Sequence, residues 1–382
     1  MIYLDNSATT RPWKSVLDTY IKVSERYFGN PSSLHPLGGE AEKLLDQSRA
    51  QTASLLGVNK KDIIFTSGAT EANNLAVKGA AEGRKHQGRH IITTAVEHPS
   101  VLEAAADLER RGWEVTKLSP DENGEIRPDQ VKGALRTDTV LVSCMHVNNE
   151  TGSIQPVEKI GLLLREHPKV LFHVDYVQGI GKVPLSMKES GIDLLTISGH
   201  KFHCVKGTGL LAVSGGKLEP LFHGGTQENN LRAGTENTAG AAALAKAMRL
   251  LLDGSREAAA RMRSLNLLLE EKLSEMKGIE INSPRSRAPH ILNFSVKGIK
   301  PETVVQALAQ KEIYISTTAA CSSKQSSGSR VLQEMPLPIE RSETALRISL
   351  SEETTGEDID AFLLTWQEVY ETTARKGKQY EI

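Results

Sequence analysis

Apolar residues in this chain follow two rhythms. Short continuous runs rich in Val, Ile and Leu occur at 63–66, 90–95, 114–118, 139–145, 170–174, 194–198 and 210–213. Between many of them lie segments with apolar residues at helical spacing, over 71–82, 100–111, 128–135 and 157–165. Continuous β-branched runs predict strands covered on both faces, and helices between strands predict crossover connections. The middle of the chain therefore reads as α/β, with a mostly parallel seven-stranded sheet. Two further helices are predicted upstream, over 15–27 and 37–56; the second carries Ala41, Leu44, Leu45 and Leu55 at apolar positions.

The pattern changes after Arg232-Ala233-Gly234-Thr235-Glu236-Asn237. A long Ala/Leu-rich helical stretch runs to about residue 276, and Gly254-Ser255 is a candidate break. Beyond it, strands are predicted near 280–282, 291–296, 314 and 346–350, helices over 301–310 and 356–370, and a Ser-rich loop over 321–329. This predicts a large domain over 15–260 and a smaller α+β domain built from 1–14 and 261–382.

The 382 residues suffice for two cores, and 39% hydrophobic with 24% charged residues is ordinary for a globular protein. A net charge of −1 without a dense basic block speaks against a direct nucleic-acid footprint. No apolar run is long enough for a membrane span, and the start, Met1-Ile2-Tyr3-Leu4-Asp5, lacks the features of a signal peptide. Cys144, Cys204 and Cys321 form no disulfide framework or paired metal motif, so a reducing cytoplasm is expected. The histidines do not cluster at metal-ligand spacing; His86, His90 and His167 sit among charges and are expected in solvent.

Ligands of parallel sheets bind at the carboxyl ends of strands. Ser67, Glu97-His98, the stretch from His146 to Asn149, Asp175 and Ser198-Gly199-His200-Lys201 all lie at or just past predicted strand ends. Three of these places make a chemical set. Lys201 offers an amine, Asp175 a carboxylate, and Ser67-Gly68-Ala69-Thr70-Glu71 a small-residue turn opening a helix. Pyridoxal phosphate needs a Schiff-base lysine, an acid for its pyridinium nitrogen and a cradle for its phosphate.

With these motifs goes a resemblance. The chain resembles the pyridoxal-phosphate-dependent cysteine desulfurases, in the fold-type I, class-V aminotransferase group, over nearly its whole length. The likeness rests on Tyr3-Leu4-Asp5-Asn6-Ser7-Ala8-Thr9-Thr10, Asn30-Pro31-Ser32-Ser33, Ser67 to Asn74, Glu97-His98, His146 to Gly152, His173-Val174-Asp175, Ser198 to Lys201, Arg232 to Asn237 and Leu346-Arg347-Ile348-Ser349 in this order. It implies that Lys201 holds the cofactor and then carries protons, that Asp175 pairs with the ring nitrogen, and that His98 stacks on the ring. Asn149 and Gln178 would bond the ring hydroxyl. Ala69, Thr70, Ser198 and His200 would bind the phosphate, joined by Thr235 from the other subunit of a homodimer.

By the same resemblance Arg347 clamps the carboxylate of L-cysteine, with Asn149 beside it. Cys321 attacks the sulfur, and the persulfide passes to an acceptor, either an iron–sulfur scaffold or a tRNA-thiolating sulfurtransferase. Local alternatives stand beside these roles: His98 and Asp175 as helix caps, Thr235 as the cap of the long helix, Asn149 and Gln178 as turn stabilisers, Arg347 on an edge strand in solvent. Cys144 reads as a buried structural residue, and Cys204 leans the same way. A selenocysteine lyase would share the cofactor site, and a protein serving mainly as a binding partner is a third reading. Two stretches depart from the family pattern. At Phe202-His203-Cys204-Val205 the turn is expected to survive because Lys206-Gly207 remain, while Ser326-Ser327-Gly328-Ser329, in the loop where acceptors dock in relatives, points towards a dedicated acceptor.

Overall fold

The structure is a computed structural model and describes residues 1–317 and 328–378. After a short β1 (Ile2–Tyr3), the main sheet is built from β2 (Ile63–Thr66), β3 (His90–Thr94), β4 (Glu114–Leu118), β5 (Thr139–Ser143), β6 (Leu171–Asp175), β7 (Leu194–Ser198) and β8 (Gly209–Val213). Their spatial order is β2-β8-β7-β6-β5-β3-β4. Strands β3 to β7 pair in parallel, and β8 runs antiparallel to β7 and β2. The loop over 199–208 is too short for a crossover helix, so the chain must turn back on itself as a hairpin.

The strands alternate side chains between two apolar layers, as period-two geometry requires. Ile92, Val142, Phe172, Leu195 and Leu210 face one core with Ile160 and helix Thr238–Leu252. Ile91, Leu141, Leu171, Leu194 and Leu211 face the other, with Leu75, Val101 and Leu108. The expected helix over 71–82 is one end-to-end helical run from Ala69 to Arg84, with a π-helical turn at Leu75–Gly79.

A separate four-stranded antiparallel sheet, ordered β12-β13-β10-β9, packs against helices. Its strands are β9 (Ile279–Ile281), β10 (Ile291–Val296), β12 (Ser316–Thr317) and β13 (Ala345–Ser349), and β11 (Ile313–Tyr314) pairs with β1. Leu4, Leu292, Phe294, Leu346, Phe362 and Trp366 fill its core, joined by Met262, Leu269 and Leu273 of helix Ser255–Ser274. That helix starts after Gly254, whose φ of 73° breaks the Ala/Leu-rich stretch.

One expectation fails here. His90, expected in solvent, is fully buried; its Nδ1 meets Thr139 Oγ1 at 2.7 Å and its Nε2 meets Thr116 Oγ1 at 2.9 Å. Cross-strand threonines supply what its charged sequence neighbours do not.

Candidate active site

A cavity of ≈ 600 Å3 opens at the carboxyl ends of β2, β6 and β7. Its walls include Ser67 to Glu71, His98, Asn149, Asp175, Gln178, Ser198, His200 and Lys201. The N-terminal segment closes it with Ser7, Ala8 and Thr9. Sequence reasoning thus placed most of the wall, although these residues are far apart in the chain.

Lys201 ends a single 3-10 turn, Gly199–Lys201, directly after β7. Its Nζ donates to the carbonyls of Ser7, at 2.5 Å, and Ala8, at 2.9 Å. These backbone acceptors hold the amine at the wall. Sequence reasoning quoted Ser7 and Ala8 within a motif but gave them no role, because a carbonyl leaves no mark on residue type.

Asp175 closes β6 and is buried. Its Oδ1 accepts from the Val177 amide at 3.0 Å, and its Oδ2 from Asn73 Nδ2 at 2.8 Å. Asn73 also donates to Ser100 Oγ at 2.9 Å, and Ser100 Oγ lies 2.8 Å from His98 Nδ1. The Ser100 amide donates to the same Nδ1 at 3.1 Å. Nδ1 is therefore an acceptor, and the ring carries its proton on Nε2. Burial lowers the His98 pKa against the pull of Asp175, and the charges of Lys201 and Arg330 lower it further. His98 caps helix Pro99–Arg110 and lines the cavity at once. Asn73 stands in the Ser67 to Asn74 motif without an assigned role, and nothing in the local sequence marks Ser100.

The turn at Gly68 supports an anion. Gly68, at φ 152°, precedes the helix that begins at Ala69, and the amides of its first turn have no partners within the helix. Gly209 of β8 lies so close that a Cβ on it would be 2.6 Å from Gly68 Cα. His200 lines the same cavity, its pKa pushed down to about 4 by burial and by Lys201 and Lys206, so it is neutral near pH 7. Among the described residues the buried Ser7 hydroxyl at the cavity wall finds no hydrogen-bond partner. A cationic amine, a buried carboxylate, a neutral imidazole and an anion turn around one cavity fit pyridoxal phosphate.

Gln178 is part of the wall, whereas Arg347 and Thr235 stand outside it. Gln178 turns its Nε2 to the Ser7 carbonyl, at 3.0 Å, and its Oε1 towards His290 Nε2, at 3.4 Å. Arg347 is not on an edge strand in solvent: β13 lies between β12 and β10, and the side chain is buried behind the wall. It donates to the Asn149 carbonyl at 2.9 Å and to Asp5 Oδ1 at 2.8 Å. Thr235 is exposed and outside the cavity, and the cap of the long helix is Asn237, which accepts from Gly240. Cys321 lies outside the described residues. Cys144 and Cys204 are buried, and burial raises both thiol pKa values, that of Cys204 to about 11.

The aminotransferase class-V family pattern matches residues 2–362. The chain belongs to the class-V aminotransferase family, among its pyridoxal-phosphate-dependent cysteine desulfurases. A NifS/IcsS protein homolog of Lactobacillus delbrueckii subsp. bulgaricus is 46% identical over 375 residues, 97% of each chain. Cysteine desulfurase IscS of Dictyoglomus turgidum is 40% identical across 97% of this chain and 94% of its own. A solved NifS-like protein superposes with a TM-score of 0.91 at 36% identity, covering 98% of this chain and 99% of the other. The desulfurase family match agrees with the cavity's chemistry, since its members share the cofactor for which amine, acid and anion turn are suited.

Proposed function

We propose that this chain converts L-cysteine to L-alanine and passes the sulfur on as a persulfide. The observation that carries the reading is the convergence of Lys201, Asp175 and His98 on one cavity beside the Gly68 turn. Lys201 would hold pyridoxal phosphate through its amine and Asp175 would keep the ring nitrogen protonated. Asn149 and Gln178 would meet the ring hydroxyl; Ala69, Thr70, Ser198 and His200 would bind the phosphate. The bound cofactor supplies an electron sink that activates the substrate's C–S bond.

The chain's own groups then divide the work. His98 presents a proton at Nε2, and Lys201 moves protons at Nζ. Arg347 would orient the substrate carboxylate through its planar fork on exchanging its bonds to Asp5 and the Asn149 carbonyl. Cys321 takes the sulfur: an S–S bond forms as the substrate's C–S bond breaks. Cysteine and a thiol become alanine and a persulfide, with atoms conserved. Thr235, exposed on its loop, suits a phosphate contact across a homodimer. A cytoplasmic setting and an acceptor protein serving tRNA thiolation or iron–sulfur assembly complete the reading.

The test uses the purified protein loaded with cofactor. Borohydride reduction should fix the visible chromophore on Lys201, and alanine formation should vanish in Cys321→Ala while the chromophore persists. Wild-type sulfide release by Cys321→Ala would remove the assigned nucleophile.

A further inference from the structure

Residues Glu228, Asn229 and Asn230 have φ values of 46°, 57° and 64°. Three successive non-glycine residues in the left-handed region persist only where their surroundings impose it. Glu228 supplies the constraint. Its carboxylate receives both terminal nitrogens of Arg49, at 2.6 and 2.7 Å, and the Phe65 amide at 2.8 Å. Arg49 also donates to the Ile63 carbonyl at 2.6 Å, and Asn229 Nδ2 donates to the Lys61 carbonyl at 2.7 Å. The turn is thus fastened to β2 and the residues just before it.

The fastening has an end product two residues on. Arg232 Nε donates to Glu71 Oε1 at 3.0 Å, and Glu71 Oε2 accepts from the Ser67 amide at 2.9 Å. Glu71 lines the same cavity as Ser67, Gly68, Ala69 and Thr70. An acid in the first turn suits an isolated helix, because it meets the positive end of the dipole. In an anion cup it is an obstacle: a second negative charge at short range opposes a phosphate. Burial alone would favour a neutral Glu71, yet hydrogen bonds from Ser67 and the charge of Arg232 hold its pKa below the ordinary value, so it is an anion near pH 7.

We propose that Arg232 is a positioning residue of the phosphate cup, neutralising Glu71 so that the Ser67–Thr70 turn accepts a dianion, with the Glu228–Arg49 pair keeping it in place. This rests on the reading of that turn as the phosphate site of pyridoxal phosphate. The role is electrostatic and specific to the phosphate, which sets it apart from a general contribution to folding.

The test titrates cofactor-free protein with pyridoxal phosphate and, separately, with pyridoxal, which carries the aldehyde and ring but no phosphate. Arg232→Met should weaken pyridoxal phosphate about tenfold or more and leave pyridoxal unchanged. Glu228→Gln should act in the same direction. Arg232→Lys should retain most of the affinity. Glu71→Gln, placed on Arg232→Met, should restore affinity because it removes the charge that needed compensation; circular dichroism verifies that each variant is folded. Equal weakening of pyridoxal and pyridoxal phosphate, or no recovery in the double variant, overturns the proposal. If the wild-type protein failed to prefer pyridoxal phosphate over pyridoxal, the phosphate-site reading itself would fall, and the proposal with it.

Discussion

Arg347 Nη2 donates to Asp5 Oδ1 at 2.8 Å, joining residues 342 positions apart in the chain. Arg347 is buried, and Asp5 side-chain exposure is only 20%. Removing one partner of such a pair leaves a charge in the interior without compensation. Asp5→Ala should therefore cost about 3 kcal/mol of stability, read as a lower urea midpoint. Asp5→Asn, which keeps a hydrogen-bonding oxygen, should lose less.

Glu352 lies near the lysine turn, between Lys182 and His203. Its Oε2 lies 3.0 Å from His203 Nε2 and its Oε1 3.3 Å from Lys182 Nζ. Burial pushes its pKa up, but Lys182 and His203 more than reverse that and hold it far below the carboxylate range. A carboxyl whose folded pKa is depressed stabilises the protein above its unfolded pKa, about 4.3, and loses that stabilisation as pH falls towards the folded value. Unfolding midpoints should therefore drop below about pH 4, and Glu352→Gln should show a shallower acid limb. At neutral pH the same variant should be less stable by about 3 kcal/mol, because Lys182 stays buried without its partner.

Gly209 tests the anion turn by shape. An added Cβ would meet Gly68 Cα at 2.6 Å and the Ile197 carbonyl oxygen at 2.9 Å, and neither backbone atom can swing aside. Gly209→Ala should cost about 1–3 kcal/mol. It should also displace the Gly68 turn and reduce the cofactor retained through gel filtration. Unchanged retention would show that the turn tolerates the shift.

Thiol chemistry should separate the cysteines. Cys144 and Cys204 are buried, with raised pKa values, so neither presents a thiolate near pH 8. Titration of native protein with a disulfide reagent should leave both unmodified, and the fast-reacting thiol should disappear in Cys321→Ala. Rapid modification of Cys144 in the native state would contradict the burial seen here.

How far residue patterns alone reached can be judged from particular elements. Strands β5, β6 and β7 were readable because sheets covered on both faces need unbroken apolar runs. The reversed direction of β8 was not read, since an apolar run looks alike in either direction and only the short loop 199–208 hints at it. His90 was misjudged because its partners come from neighbouring strands. The link from Asp175 through Asn73 and Ser100 to His98 crosses two helices and a strand, so no local spacing encodes it. Arg347 was singled out for its unusual place in an apolar strand, but its partner Asp5 lies at the other end of the chain.

The opening segment has a consequence for synthesis. Asn6 and Ser7 donate to Ser349, on the carbonyl and the hydroxyl, while the carbonyls of Ser7 and Ala8 hold the Lys201 amine. A ribosome making about 5–20 residues per second exposes residue 201 well before residue 349 is built. Until then the first residues lack their anchor on β13 and the cavity lacks a wall. Loading with cofactor is thereby deferred to a nearly finished polypeptide, and truncated translation products should emerge without it.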